Sequence, residues 1–206
     1  MTKKAWGSAV RNREELFELK RQAVLHTAAR MIQRRGYEQT SLADIADELS
    51  IGKTTIFYYF QSKAEIVREL LRIGVEVFLD PAVHPEDYPQ VPGLNGAQRM
   101  ERFLRRCVRN LCIDTGGCLL TTPREVLDSD TRAQFHIRSR AVDDMGRAIL
   151  RDGIADGSIG ACDVPTTYAM IGGALRHIPT LHESHKNSAA ELADSAVYLL
   201  MRGLQL

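Results

Sequence analysis

Residues 50–63 read SIGKTTIFYYFQSK, and they admit two chemistries. GKTT (Gly52–Thr55) is either the end of a phosphate-cradling loop or the first turn of a helix that reads DNA. A Walker-type loop has the spacing G-x-x-x-x-G-K-[ST], and its first glycine lets backbone amides curl around phosphate. Here that first position is Asp47, an anion where phosphate oxygens would sit. Such a loop also follows an apolar strand, whereas LADIADEL (Leu42–Leu49) places Leu42, Ile45, Ala46 and Leu49 on one helical face. The phosphate-loop reading fails, and a short helix entering a turn remains.

On the N-terminal side, Gly36 closes a helix expected over about 16–35, whose stripe is Val24, Leu25, Ala28, Met31 and Ile32. Ser41 with Asp44 forms a capping-box pattern that opens a helix to Leu49. A turn at Ser50–Gly52 leads to a helix of about two turns, Lys53–Phe60, and another starts at Ser62. Two short helices joined by a three-residue turn describe a helix-turn-helix. Ala46 is small where the pair cross, and Ile45, Leu49, Ile51 and Ile56 fill the shared core. A plain helical hairpin is the bland alternative, but the basic surround and the hydroxyl-rich first turn speak against it.

The pattern GYEQTSLADIADELSIGKTTIFYYFQSKAEIV (Gly36–Val67) resembles the DNA-binding signature of the tetracycline-repressor (TetR) family. The likeness extends from Val24 to Leu70, with nearly every apolar position filled. Three departures stand out: Ser50 at the usual turn glycine, Gly52 at the usual serine N-cap, and Phe57 for a common tyrosine. The resemblance implies that Thr40 and Lys63 contact phosphates. The outward positions of the second helix, Lys53, Thr54, Thr55, Phe57, Tyr58 and Tyr59, are those expected to face a major groove. The resemblance implies that Lys53, Thr54, Thr55 and Tyr58 approach bases or backbone and that Tyr59 meets backbone. Further on, GCLL and a D-x-D-T-R-A segment resemble, less specifically, the ligand domains of such regulators.

The rest of the chain fits that expectation. Strand signals are scarce and helical periodicity recurs, so the fold is expected to be all-α, with about nine helices. The expected division is a flexible basic arm over 1–15, a three-helix helix-turn-helix domain over 16–62, and a helical ligand-binding and dimerisation domain over 63–206. The net charge of +1 divides unevenly: residues 1–72 hold 13 Lys/Arg against 9 Asp/Glu, and residues 73–206 hold 14 against 17. A basic N-terminal third suits a DNA-binding part. No secretory signal or membrane-length apolar run is present, so a cytoplasmic protein is expected. Cys107, Cys112, Cys118 and Cys162 form no C-x-x-C pair and read as reduced, buried cysteines, with a redox-sensing pair as the alternative.

Residues 80–97 hold four of the seven prolines and read as a loop. Helices are expected at 98–113, 130–156, 164–178 and 188–204, with a break at Gly116–Gly117. In this family the last two form the dimer interface. That assigns contact to Ala169, Gly172, Gly173, Val197, Leu200, Met201 and Leu204, with an intramolecular core as the alternative. Candidate pocket walls are Phe103, Cys107, Leu111, Phe135, Val142, Met145, Ile149 and Tyr168, though apolar stripes at helical spacing are commonly ordinary core. Arg138 falls on the same face as Phe135, Val142, Met145 and Ile149, where it holds an anionic ligand, pairs with an acid such as Asp114 or Glu125, or reaches solvent. His177, His182 and His185 have Pro179 between them and no ligand geometry, so no metal, cofactor or catalytic residue is expected. The partners expected are a palindromic double-stranded DNA operator, a small-molecule inducer and a second copy of the chain. An α-helical enzyme or a protein-binding adaptor is the competing reading, and neither explains residues 36–67.

Overall fold

The structure, a computed structural model, describes residues 3–122, 125, 127–184 and 188–204. Among these there are ten α-helices, a 3-10 turn at Pro85–Asp87 and no strand. The helices are α1 (Lys3–Arg35), α2 (Leu42–Glu48), α3 (Lys53–Ile56), α4 (Lys63–Leu79) and α5 (Gly96–Cys112). They continue with α6 (Asp114–Thr121), α7 (Ser129–Ala155), α8 (Val164–Leu175), α9 (Ile178–Ser184) and α10 (Ala189–Arg202). Periodicity does not anticipate the short helix α9. Side-chain caps set most starts: Ser41, Ser62, Asn95, Asp128, Asp163 and Ser188 each accept a first-turn amide.

Two apolar clusters organise the chain. The first joins α1, α2 and α3 to the first half of α4, with Leu25, Ile32, Ile45, Ile56, Phe60, Ile66 and Leu70 at its centre. The second gathers the end of α4 with α5, α7, α8, α9 and α10, around Met100, Phe103, Leu104, Val108, Ile149 and Leu150. Helix α4 therefore belongs to both, and the expected division at 62/63 falls at the start of a shared helix. The Cys118 thiol donates to the Ala29 carbonyl at 3.4 Å, tying α6 to α1 as well.

Three expectations change. A flexible arm is expected over residues 1–15, but from Lys3 the chain is already in α1. Its Ala, Glu, Leu, Lys and Arg content and lack of proline let a helix anchored at Val24–Ile32 propagate backward without a new nucleation cost. The second motif helix is regular only over Lys53–Ile56. Beyond it the backbone keeps turning through tighter bonds, Tyr58 N–H to Thr55 O at 3.2 Å and Tyr59 N–H to Ile56 O at 3.0 Å. Finally, Gly116 and Gly117 lie inside α6, and the break comes at Ile113. A Cβ on Gly116 would stand 1.7 Å from the Asn110 carbonyl oxygen, and one on Gly117 would stand 2.5 Å from the Gln33 side chain. These glycines allow close approach; they do not stop a helix.

Candidate nucleic-acid interface and ligand cavity

The reading head forms where α2 and α3 cross. Ile45, Ala46, Ile56 and Phe60 are buried beneath it, and Ile51 N–H bonds to Ala46 O at 2.9 Å to fold the turn back. Ser50 takes φ 54°, the left-handed conformation that the glycine of the family pattern would adopt freely. Gly52 begins α3 with no side-chain cap. The buried pair Ile56 and Phe60 leaves Lys53, Thr54, Thr55, Phe57 and Tyr58 exposed on the opposite face. Tyr59 is half-buried. It stacks on Phe17 of α1 at 5.2 Å between ring centroids, and Phe17 meets Tyr58 edge-on at 5.4 Å. Sequence reasoning missed Phe17, although its place seven residues before Val24 continues the α1 stripe.

Thr40 is a correction. Its side chain is buried at 1% exposure and its hydroxyl donates to the Gly36 carbonyl at 3.0 Å, so it secures the end of α1 and does not face a phosphate. Short polar side chains beside a helix C-terminus find free carbonyls nearer than any ligand. Lys63 donates to the Tyr37 carbonyl at 2.6 Å and lies 3.9 Å over the Tyr37 ring. Its ammonium has three donors, so two remain for another acceptor. Arg21 joins α1 to α4 through Glu69 at 3.0 Å and lies 5.0 Å over the Phe60 ring. Arg72, first, and then Arg21 hold the Glu69 carboxyl down at about 2.

Where the two clusters meet lies a cavity of ≈ 360 Å³, bordered by α4, α5, α6, α7 and α8. Of the expected wall residues, Cys107, Leu111, Phe135, Val142 and Tyr168 line it. Phe103 and Ile149 do not: each is buried in the solid core, and Met145 packs against that core. Arg138 is also displaced, pairing with Glu76 of α4 at 2.5 Å, neither Asp114 nor Glu125 being its partner. The seam of α7 runs through Phe135, Ser139, Val142, Gly146 and Ile149, so a residue beside Ser139 turns toward its edge. The sequence reading missed Val75, Phe78, Asn110, Ser139, Asp143 and Arg176. Asn110 and Ser139 were legible as polar residues within apolar stripes.

Gly146 shapes the wall, since a Cβ there would meet Tyr168 at 2.3 Å and Phe103 at 2.8 Å. Burial, with Cys107 and Asp143 nearby, raises the Tyr168 pKa, so its hydroxyl stays protonated and donates to Asp143 Oδ1 at 3.1 Å. Burial also raises the Cys107 thiol, pushes Cys112 up to about 11 and Cys118 up to about 12. All three are thiols at neutral pH, which disfavours redox chemistry there. Among the described residues no three potential ligands gather as a metal site, and His185 lies outside them.

The expected dimer residues separate. Val197, Met201 and Leu204 are buried and Leu200 half-buried, all packed into the second cluster against their own chain. The three buried ones are intramolecular core, because periodicity reports a shared face and not what covers it. Gly172 lines the cavity. Ala169 and Gly173 are exposed on α8. Beside them Met170 is 71% exposed, and on α10 Tyr198 is 64% and Leu199 72% exposed.

With this geometry in view, comparison with known proteins is decisive at the family level. Residues 24–70 match the bacterial regulatory proteins of the tetR family, and residues 93–204 match the tetracyclin repressor-like C-terminal domain. The chain belongs to the TetR family. That is a family of regulators, not of enzymes. The HTH-type transcriptional regulator TtgR of Pseudomonas putida is 38% identical over 61 residues, 30% of this chain and 29% of TtgR. The alignment thus spans less than a third of that relative's length. In fold, the ketosteroid transcriptional regulator KstR2 of Mycobacterium tuberculosis superposes with TM-score 0.77 at 21% identity, over 91% of this chain and 95% of KstR2. AibR, solved with isovaleryl coenzyme A and operator DNA, superposes with TM-score 0.72 at 21% identity, over 88% and 97% of the two chains. No described helix is long and apolar enough to cross a membrane.

Proposed function

We propose that this TetR-family protein is a homodimeric, operator-binding transcriptional regulator, a repressor released from DNA by a small molecule, acting in the cytoplasm. The continuity of α4 carries the reading. Ile66, Val67, Leu70 and Leu71 pack in the reading-head cluster, and one and two turns later Val75 and Phe78 line the cavity. A ligand that favours a different position of Val75 and Phe78 displaces the whole rod and the head it carries. It must bind the two positions unequally to shift the equilibrium. AibR, of the same fold, is solved with isovaleryl coenzyme A and operator DNA, so this fold accommodates both kinds of partner.

Lys53, Thr54, Thr55, Phe57 and Tyr58 present donors and apolar edges to a major groove, while Tyr59 and Lys63 steady the head against backbone. The second copy covers the outward face of α8 and α10, where Ala169, Met170, Gly173, Tyr198 and Leu199 are exposed. A two-fold dimer reads a palindrome with half-sites roughly 34–36 Å apart or a multiple of that. Fluorescence anisotropy with the DNA upstream of the protein's own gene tests this, using wild type and Lys53→Ala/Tyr58→Ala at two salt concentrations. Tight binding that weakens steeply with salt and is lost in the double variant is expected. Equal, weak binding by both, with no fragment recovered from a genomic selection, would sink the reading.

A further inference from the structure

Among the groups lining the cavity, two buried polar atoms have no hydrogen-bond partner within the protein: Asn110 Oδ1 and Ser139 Oγ. Asn110 is 7% exposed, and its orientation is dictated by α4, because its amide nitrogen donates to the Gly74 carbonyl at 3.2 Å. Reversing the amide would set oxygen against oxygen, so Oδ1 is the atom left without a donor, in a side chain that lines this cavity and the smaller one beside Val77 and Arg106. Asp143 adds a second acceptor, shared with the Tyr168 hydroxyl, and Ser139 can serve either role. The remaining wall is apolar and partly aromatic: Val75, Phe78, Leu111, Phe135, Val142 and Leu175. The cationic candidates, Arg176 and His136, are exposed at the rim.

We infer that the cavity takes an uncharged, largely apolar and aromatic-sized molecule bearing one hydroxyl or N–H donor, and that Asn110 reads that donor. This rests on the cavity being the effector site proposed above. Both atoms lie just beneath the cavity surface, and a small side-chain shift brings either to a water or ligand donor; a molecule that fills the cavity without a donor leaves Asn110 Oδ1 buried and unserved. A carboxylate ligand keeps its charge at the rim with Arg176 and leaves the same atom unserved. The methyl ether, one methyl larger and without the proton, leaves it unserved as well.

Fluorescence titration of the full chain with 2-naphthol, 2-methoxynaphthalene and 2-naphthoate separates these cases. Wild type is expected to bind 2-naphthol roughly tenfold or more tightly than either of the others. Asn110→Leu should abolish that preference, and Ser139→Ala should narrow it several-fold. A Cβ at Gly172 meets nothing within 4 Å, so Gly172→Leu can project into the cavity and should weaken all three probes. The wild-type preference stands as a test even where Asn110→Leu does not fold. Equal binding of ether and naphthol, a preference for 2-naphthoate, or no binding of any probe overturns the inference. Operator release is read separately. An ether that binds and releases DNA as well as 2-naphthol spares the effector reading and sinks the donor rule. Selective 2-naphthol binding that leaves the DNA complex intact does the reverse.

Discussion

Around the reading head the large apolar side chains interlock: Ile45, Ile56, Ile66 and Leu70 are at 0% exposure and Phe60 at 1%. Around the cavity, residues of the same chemical type stand apart, enclosing ≈ 360 Å³ and two unpartnered polar atoms. The first cluster has one good packing, as suits a surface that must present Lys53 to Tyr58 in fixed register. The second forgoes contact along α4, α5 and α7, and an occupant can supply what is missing. Helix α4 spans both, and on the proposed reading it is what passes a change in the loose cluster to the tight one.

Matched truncations put this contrast to the test. Phe60→Ala should lose about 3–5 kcal/mol by denaturant titration, because its neighbours cannot collapse into the hole. Phe78→Ala, in a wall that is already incomplete, should lose about 1–2 kcal/mol less. Comparable losses would mean that the cavity wall is as tightly set as the head.

The second prediction concerns Arg106, which is 3% exposed and whose guanidinium donates to the carbonyls of Val77, Phe78, Asp80, Val83 and His84. It holds the C-terminal end of α4, the cavity end of the rod. Arg106→Met should lose about 2–4 kcal/mol, as buried carbonyls are left without donors. Hydrogen exchange should rise at 77–84 and stay unchanged over 45–60.

Glu69 supplies a pH test in the part of α4 that packs on α1. Its folded pKa of about 2 lies below the ordinary carboxylate value of 4.5, so its contribution is complete above 4.5 and fades as pH falls toward 2. Glu69→Gln should flatten that part of the stability profile and change little at pH 7 beyond a loss of about 1–2 kcal/mol. An unchanged acid limb would mean that Arg21 and Arg72 do not hold the carboxylate. Smallest in effect, Ser50→Gly should stabilise by about 1 kcal/mol by removing the left-handed penalty at φ 54°. No gain would show that the turn has relaxed in solution.

Much of the reading head is legible in the amino-acid sequence because its evidence is local. Ser41 and Asp44 cap within one turn, and Ile45, Leu49 and Ile56 recur at helical spacing. The cavity is half legible. Stripes on α5 and α7 name Cys107, Leu111, Phe135, Val142 and Tyr168, but the same stripes also name Phe103 and Ile149, which are solid core. Periodicity identifies an inward face without saying whether that face meets atoms or space.

The all-helical class, the helix-turn-helix and the caps that start its helices follow from residues within a few positions of one another, so the linear chain is enough to specify them. Which apolar residues enclose a cavity is settled in three dimensions alone. So are the commitment of Thr40 to Gly36, the departure of Arg138 for Glu76, and the inward facing of Val197, Met201 and Leu204. Those outcomes depend on which helices lie opposite, and that is set by packing among segments distant in the chain.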